Sequence, residues 1–462
     1  MTNTHDALII GAGQAGPPLA GRLTAAGMSV GLIERKLFGG TCVNTGCIPT
    51  KTLIASAYAA QLARRAADYG VYIGGDVVVD MKAVKARKDM ISMRARERVE
   101  SWLQRMEHCK VYHGHARFVS PREVQVGQER IAAKYIFINV GGRAIVPELP
   151  GIDHVTTLTN TSILELETLP QHLIVVGGSY VGLEFAQMYR RFGVAVTVVQ
   201  RSPRLIPRED EDVSASIRQI LEAEGIAMRL NAKCIHFERR GAEIAVGIDC
   251  ASGASVVTGS HVLLAVGRRP NTDDLSLDKA GVETDARGYI VVDDELRASA
   301  PGVWALGDCN GRGAFTHTSY NDFEIVAANL LDGVRRRLSD RIPAYALYID
   351  PPLGRVGMTE AQARAIGRPL LVGRRPMARV GRAIEKGETQ GFMMAIADSE
   401  THQILGAAIL GTGGDEAIHG ILDAMNARTP FTDLQRAVPI HPTVSELIPT
   451  LLGEMRPVSE QE

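Results

Sequence analysis

The 462-residue chain is short of several things, and each shortage removes a class of function. Its six cysteines are too few for the disulfide framework that holds small secreted domains together. A cytoplasmic protein with one working pair fits that count better. The formal net charge is −1, so no overall field gathers nucleic acid or an acidic membrane surface. No apolar run reaches the length that spans a bilayer, which argues against a membrane protein. The polar start, Met1-Thr2-Asn3-Thr4-His5-Asp6, leads straight into a strand pattern and lacks the marks of a secretory leader. With 45% hydrophobic and 22% charged residues over this length, two or three ordinary globular domains are expected.

What is present centres on Gly40-Thr41-Cys42-Val43-Asn44-Thr45-Gly46-Cys47-Ile48-Pro49-Thr50-Lys51. Pro49 suits the first turn of a helix, where its missing N–H leaves no bond unmade. Cys47 then falls at that helix's N-terminus, where unpaired amides and the dipole favour a thiolate. Cys42 falls one turn earlier, on a glycine-flanked loop, within reach of a strained and therefore labile disulfide. The other reading is a zinc half-site or two buried thiols. Zinc needs two more ligands at matching spacing, and no second cysteine pair supplies them. Redox work is the favoured reading.

Upstream, Ala7-Leu8-Ile9-Ile10 runs into Gly11-Ala12-Gly13-Gln14-Ala15-Gly16, a helix to about Ala26, and a strand from Met28 to Ile33 that ends at Glu34. This strand–glycine–helix–strand–acid order binds an adenine dinucleotide. Gly11, Gly13 and Gly16 let the backbone approach the pyrophosphate, and Glu34 takes the ribose hydroxyls. Pro17 and Pro18 fall in the first helical turn, where they are tolerated. The unit recurs: Leu173-Ile174-Val175-Val176 precedes Gly177-Gly178-Ser179-Tyr180-Val181-Gly182, a helix to about Phe192, and a strand from Val194 to Val199. In this copy Ser179 replaces the middle glycine and Gln200 replaces the acid, with Arg201 and Arg204 close behind. Losing a carboxylate and gaining arginines is what a ribose 2′-phosphate requires, so NADPH is favoured over NADH. Two such units imply two dinucleotides, an arrangement for passing a hydride from one to the other.

Between the copies, residues 80–104 form a basic helical pattern, read as a solvated face. His108, Cys109, His113 and His115 cluster without any known metal-ligand spacing, so no metal site is assigned. Tyr135 to Val140 and His261 to Val266 are matching strands, ending at Gly141 and Gly267. Val303-Trp304-Ala305-Leu306-Gly307-Asp308 returns the chain to the first unit and presents a carboxylate at a strand end. A helix from about Ser319 to Leu331 follows it, and Cys309 is read as a small hydrophobe. From Pro343 the texture changes: Phe392 to Ala397 and Ile404 to Leu410 read as a hairpin, with a helix from about Asp415 to Asn426. The expected fold is α/β, with two Rossmann-like dinucleotide-binding domains and a C-terminal α+β domain. The boundaries are 1–150 with 272–342, then 151–271, then 343–462. Near the end, His441-Pro442-Thr443-Val444-Ser445-Glu446 places a histidine beside a carboxylate able to orient its ring.

Together, GGTCVNTGCIPTK, the paired glycine fingerprints, LGDC and HPTVSE resemble the flavin-dependent pyridine nucleotide–disulfide oxidoreductases, the family of glutathione reductase, dihydrolipoamide dehydrogenase and mercuric reductase. The resemblance covers nearly the whole chain. It implies FAD and NADPH as cofactors, with Cys42 as the interchange thiol and Cys47 as the thiol facing the flavin. It implies that Lys51 pairs with Glu184 beside the flavin, that Tyr180 gates the nicotinamide pocket, and that Asp308 binds the ribityl chain. Thr41 and Gly267 join the cofactor-binding set. His441, oriented by Glu446, would serve Cys42 of the other subunit across a homodimer interface.

The acceptor implied is a small disulfide. Segments around GDC and the Arg-Ser stretch resemble mercuric reductases, which points to a second reading, reduction of a metal ion such as Hg(II) or Cu(II), or of another oxidant. Against mercury, the tail Leu452-Gly453-Glu454-Met455-Arg456-Pro457 has no cysteine to hand on a soft metal. A third reading, a structural flavoprotein subunit of a larger complex, fits poorly with an intact cysteine pair.

Overall fold

A computed structural model of the chain describes residues 2–249 and 255–458. The first apolar run lies within β1 (Thr2–Ile10), and its Ala7, Leu8, Ile9 and Ile10 are all buried. A continuous apolar run is what a strand covered on both faces requires. Parallel neighbours flank it, β2 (Val30–Glu34) on one side and Glu129–Ile138 on the other. Cys109–His113 extends the sheet beyond β2. Val303–Ala305 pairs with Ile136–Ile138, so a segment far along the chain completes this sheet. Between β1 and β2 runs α1 (Gly16–Ala25), with proline in its first turn.

A second parallel sheet repeats the plan. His172–Val176 is central, with Ala195–Val199 and Ala227–Arg229 on one side and His261–Leu264 and Thr157–Leu158 on the other. The antiparallel strands His236–Arg240, Glu243–Gly247 and Val256–Gly259 share a small core with Ile174 and Val176. Gly142–Ala144 and Arg268–Pro270 pair as a two-stranded link. The last domain is an antiparallel sheet of six strands with helices, as its changed texture predicts. Its central hairpin pairs Phe392–Asp398 with Ile404–Leu410. The buried Asp398 closes the turn, accepting hydrogen bonds from the amides of Glu400 (2.8 Å) and Thr401 (2.9 Å).

Three sequence-based expectations need correction. Cys42 is not on a loop but inside a one-turn helix, α2 (Gly40–Asn44). Gly39 and Gly40 turn the chain at φ +89° and +63°, and Asn44 Nδ2 bonds back to Phe38 O and Gly40 O, each at 2.9 Å. The helix after Asp308 begins at Thr316, because the Thr318 hydroxyl caps its start through Phe315. The basic helix, Met81–Gln104, is not simply solvated. Lys88 is 3% exposed and donates to Leu164 O at 2.9 Å, while Arg87 reaches Thr52 O at 2.9 Å. These cations tether the helix to its neighbours through buried carbonyls. Among the described residues no three metal-ligating side chains come together, and His108, Cys109, His113 and His115 lie along one strand and its flanks.

Candidate active site

The two glycine turns are built alike. A Cβ on Gly11 would stand 2.3 Å from Asn139 O, and one on Gly177 would stand 2.3 Å from Ala265 O. Both residues have positive φ, +106° and +119°. A Cβ on Gly16 would meet Gly11 O at 2.4 Å, and one on Gly182 would meet Gly177 O at 2.1 Å. The first and third glycines of each motif are therefore fixed by backbone crowding. At the middle position the nearest atom to a Cβ on Gly13 is the Asn139 side-chain amide, at 3.3 Å. That looser site explains how Ser179 can occupy it in the second copy.

Glu34 and Gln200 also match. Glu34 Oε2 accepts from Ala12 N at 2.9 Å, and Gln200 Oε1 accepts from Gly178 N at 3.2 Å. The amide keeps the bond that closes the turn and discards the charge. Arg204 donates to Pro207 O at 3.1 Å, while Arg201 is exposed and makes no hydrogen bond or ion pair among the described residues.

A cavity of about 1240 Å³ runs from the first glycine turn to the cysteines. Gly11, Gly13, Glu34, Thr41, Asp308, Cys42, Cys47, Lys51, Tyr180 and Glu184 all line it. Gly16, Gly177, Ser179, Gly182, Gln200, Arg201, Arg204 and Gly267 lie outside its lining, as do His441 and Glu446. His441 is 79% exposed at its side chain, and its Nδ1 stands 2.8 Å from Glu446 Oε2. Within one chain the structure does not bring it to Cys42.

At the cavity's inner end Cys47 is the first residue of α3 (Cys47–Arg64), with Pro49 in the first turn. Both cysteines are thiols, close enough to hydrogen-bond to each other. The bond from Cys42 pulls the Cys47 thiol down to about 6, helped by the Thr316 hydroxyl at 3.4 Å and by Lys51, against the opposing effect of burial. The same bond, together with burial, drives Cys42 far up. One negative charge is thus shared by the pair and rests mainly on Cys47. The other two free cysteines are inert by comparison, since burial pushes Cys109 up to about 11 and Cys309 up to about 12.

Lys51 Nζ lies 2.7 Å from Glu184 Oε2, and the Tyr348 backbone amide donates to Glu184 Oε1 at 3.0 Å. Lys51 also sits 4.5 Å from the centre of the Tyr348 ring. Asp308, whose carboxyl is raised by burial, faces the middle of the cavity with Arg268 Nε 3.6 Å away. A glycine cradle, a ribose-facing acid, a mid-cavity carboxylate and a sulfur pair at the far end fit a flavin dinucleotide. Thr316, Tyr348 and Arg268 were missed by sequence reasoning. Each lies far along the chain from the group it serves, and none belongs to a spacing that could have revealed it.

A mostly parallel sheet ending in a dinucleotide turn, duplicated, with a thiol pair against the first cavity, defines a flavin- and pyridine-nucleotide-dependent oxidoreductase. The pyridine nucleotide-disulphide oxidoreductase family model matches residues 5–322, and that family's dimerisation domain matches residues 343–452. The chain belongs to this family. It is 35% identical over 460 residues to the probable pyridine nucleotide-disulfide oxidoreductase RclA of Escherichia coli K12, covering 98% of this chain and 99% of the relative. It is 33% identical to a dihydrolipoyl dehydrogenase of Rhizobium etli, covering 96% and 97%. A solved structure described as a Cu(II) complex of the HOCl-induced flavoprotein disulfide reductase RclA from Escherichia coli has a TM-score of 0.89. Its identity is 34%, with 98% of this chain and 99% of that one covered. Among the described residues, no helix is long and apolar enough to cross a membrane.

Proposed function

We propose that this protein carries electrons from NADPH to the Cys42–Cys47 disulfide and on to a small disulfide acceptor, working as a cytoplasmic homodimer. The observation that carries the reading is the two sulfurs, close enough to hydrogen-bond each other, lining the dinucleotide cavity beside Lys51 and Glu184. In this reading residues 1–150 and 272–342 hold FAD, 151–271 hold the nicotinamide nucleotide, and 343–462 form the dimer interface. FAD supplies the two-electron transfer that opens the disulfide. The cavity glycines and Glu34 hold its adenosine side, Asp308 its polyol chain, and Lys51 with Glu184 fixes a positive charge near its ring.

Cys42 then attacks the acceptor's disulfide, and the first half of the acceptor leaves as a thiol after receiving a proton. Cys47 attacks the sulfur of Cys42, the second half leaves as a thiolate that takes its proton from water, and the Cys42–Cys47 bond is restored. Because the charge of the reduced pair sits on Cys47, Cys42 needs a base to become nucleophilic. His441 of the opposite subunit, with Glu446 behind it, takes up the Cys42 proton and gives it to the first departing sulfur.

Turnover with oxidised glutathione, lipoamide, Cu(II), Hg(II) and quinones tests the acceptor. One disulfide consumed per NADPH is the expected result. The second reading, reduction of Cu(II), is favoured by the relative's described Cu(II) complex and by two closely spaced thiols. It requires two Cu(II) per NADPH, since each takes one electron. Metal turnover with no disulfide turnover would replace the first reading by the second.

The coenzyme choice is tested separately. Replacing Arg201 and Arg204 with alanine is expected to raise KM for NADPH by about tenfold or more and leave that for NADH nearly unchanged, as loss of charge-assisted phosphate contacts requires. Steady-state kinetics with both coenzymes reads this, and a native preference for NADH that survives the double substitution would overturn the assignment.

A further inference from the structure

Behind the cavity wall lies a buried cluster that no motif announces. Arg355, on the strand Leu353–Gly357 of the C-terminal sheet, has no exposed side-chain surface. Its Nη2 lies 2.6 Å from Asp210 Oδ2, and its Nε lies 3.6 Å from Glu209 Oε2. Glu209, also without exposed side-chain surface, accepts two hydroxyls on its other oxygen, Oε1. Tyr345 donates at 2.5 Å and Tyr180 at 3.3 Å. Burial raises both phenols well above their ordinary range, so both remain donors. Of these residues only Tyr180 lines the cavity, and Glu209 and Tyr345 stand behind it. Glu209 Oε2 has no hydrogen-bond partner among the described residues. The carboxylate's hydrogen bonds therefore run to the two tyrosines, and the arginine supplies the countercharge that lets it remain buried.

We propose that Glu209 is a positioning residue for the reductive half of the reaction, latching the hydroxyl of Tyr180 so that its ring stays across the nicotinamide's place. This rests on the reading of Tyr180 as the residue that faces the nicotinamide. Nucleotide binding must then swing Tyr180 aside and break its bond to Glu209. The strength of that bond is subtracted from the nucleotide's affinity. Two residues of the C-terminal domain set the strength: Arg355 supplies the carboxylate's countercharge, and Tyr345, bonded to the same oxygen, also accepts from the Tyr180 hydroxyl.

The test is the Kd of NADP+ for the oxidised holoenzyme, measured by titration calorimetry without turnover. Glu209→Gln exchanges a charge-assisted bond for a neutral one and is expected to lower Kd roughly fivefold. Because Glu209→Gln also strands Arg355 and can compromise folding, Tyr345→Phe is the second variant. It leaves the charges in place and removes the second hydroxyl that holds Tyr180, so Kd should fall by a smaller factor. Both shifts should vanish in a Tyr180→Phe background, which lacks the latched hydroxyl. Shifts that persist there, or a Kd unmoved by Tyr345→Phe, overturn the latch and leave the assignment of Tyr180 standing. A Kd indifferent to Tyr180→Ala overturns that assignment and the latch with it.

Discussion

Replacing Cys47 with serine should reduce disulfide turnover by at least about a thousandfold while leaving FAD bound, because the relay then lacks one of its two sulfurs. On the proposed reading the dinucleotide is held chiefly by the glycines, Glu34 and Asp308, all left in place by the substitution, so the flavin's visible absorbance should survive. The reduced protein also offers a pH test. With the Cys47 thiol near 6, it is the thiolate above that pH and the neutral thiol below it. Alkylation by iodoacetamide should therefore be fast at neutral pH and fall as pH drops through about 6. Cys42→Ala removes the bond that lowers Cys47, so the same fall should move to higher pH in that variant. A Cys47→Ser protein that still reduces disulfides at the parent rate would remove the sulfur relay altogether.

His441→Ala should lower disulfide turnover by about a hundredfold to ten-thousandfold, the usual contribution of a positioned acid–base group. Two features of this chain make the loss large. The charge of the reduced pair is held on Cys47, which leaves Cys42 protonated and in need of a base. The departing sulfur must also take up a proton to leave as a thiol. Glu446→Gln should have a smaller effect, since it disturbs only the ring's orientation through the 2.8 Å contact. Cu(II) turnover requires no proton on a leaving sulfur and should be nearly unchanged by His441→Ala. Steady-state rates with lipoamide and with Cu(II) on one preparation separate the two, and equal loss on both acceptors would deny His441 this role. Sedimentation of a fully active species as a monomer would deny it as well, since within one chain His441 lies away from the cavity.

Much of the site was legible because it is local. Cys42 and Cys47 are separated by four residues, and a proline two past Cys47 announces the helix that Cys47 begins. Each glycine turn carries its own strand, helix and acid or amide within one short stretch, so the unit identifies itself before any packing is known. The error over Cys42 has a local origin too. Glycines read as loop residues, yet Gly39 and Gly40 use their freedom to turn the chain into a short helix that Asn44 then closes. The basic helix misled for a different reason. Its charge pattern has no signal for buried carbonyls on other elements, and those are what Lys88 and Arg87 bind.

Order along the chain by itself determined the duplicated dinucleotide units, the sulfur pair at a helix start and the separate C-terminal α+β domain. These follow from periodicity, glycine placement and the polarity of a helix end, all of which act over a few residues. Tertiary structure alone decided that Thr316, 269 positions from Cys47, would hydrogen-bond it, and that the Tyr348 amide would hold Glu184 from 164 positions away. It alone decided that Arg355 would be buried against Glu209 and Asp210. Such contacts exist only because stretches far apart in the chain are packed against one another, and no local pattern records which side chains will meet where they touch.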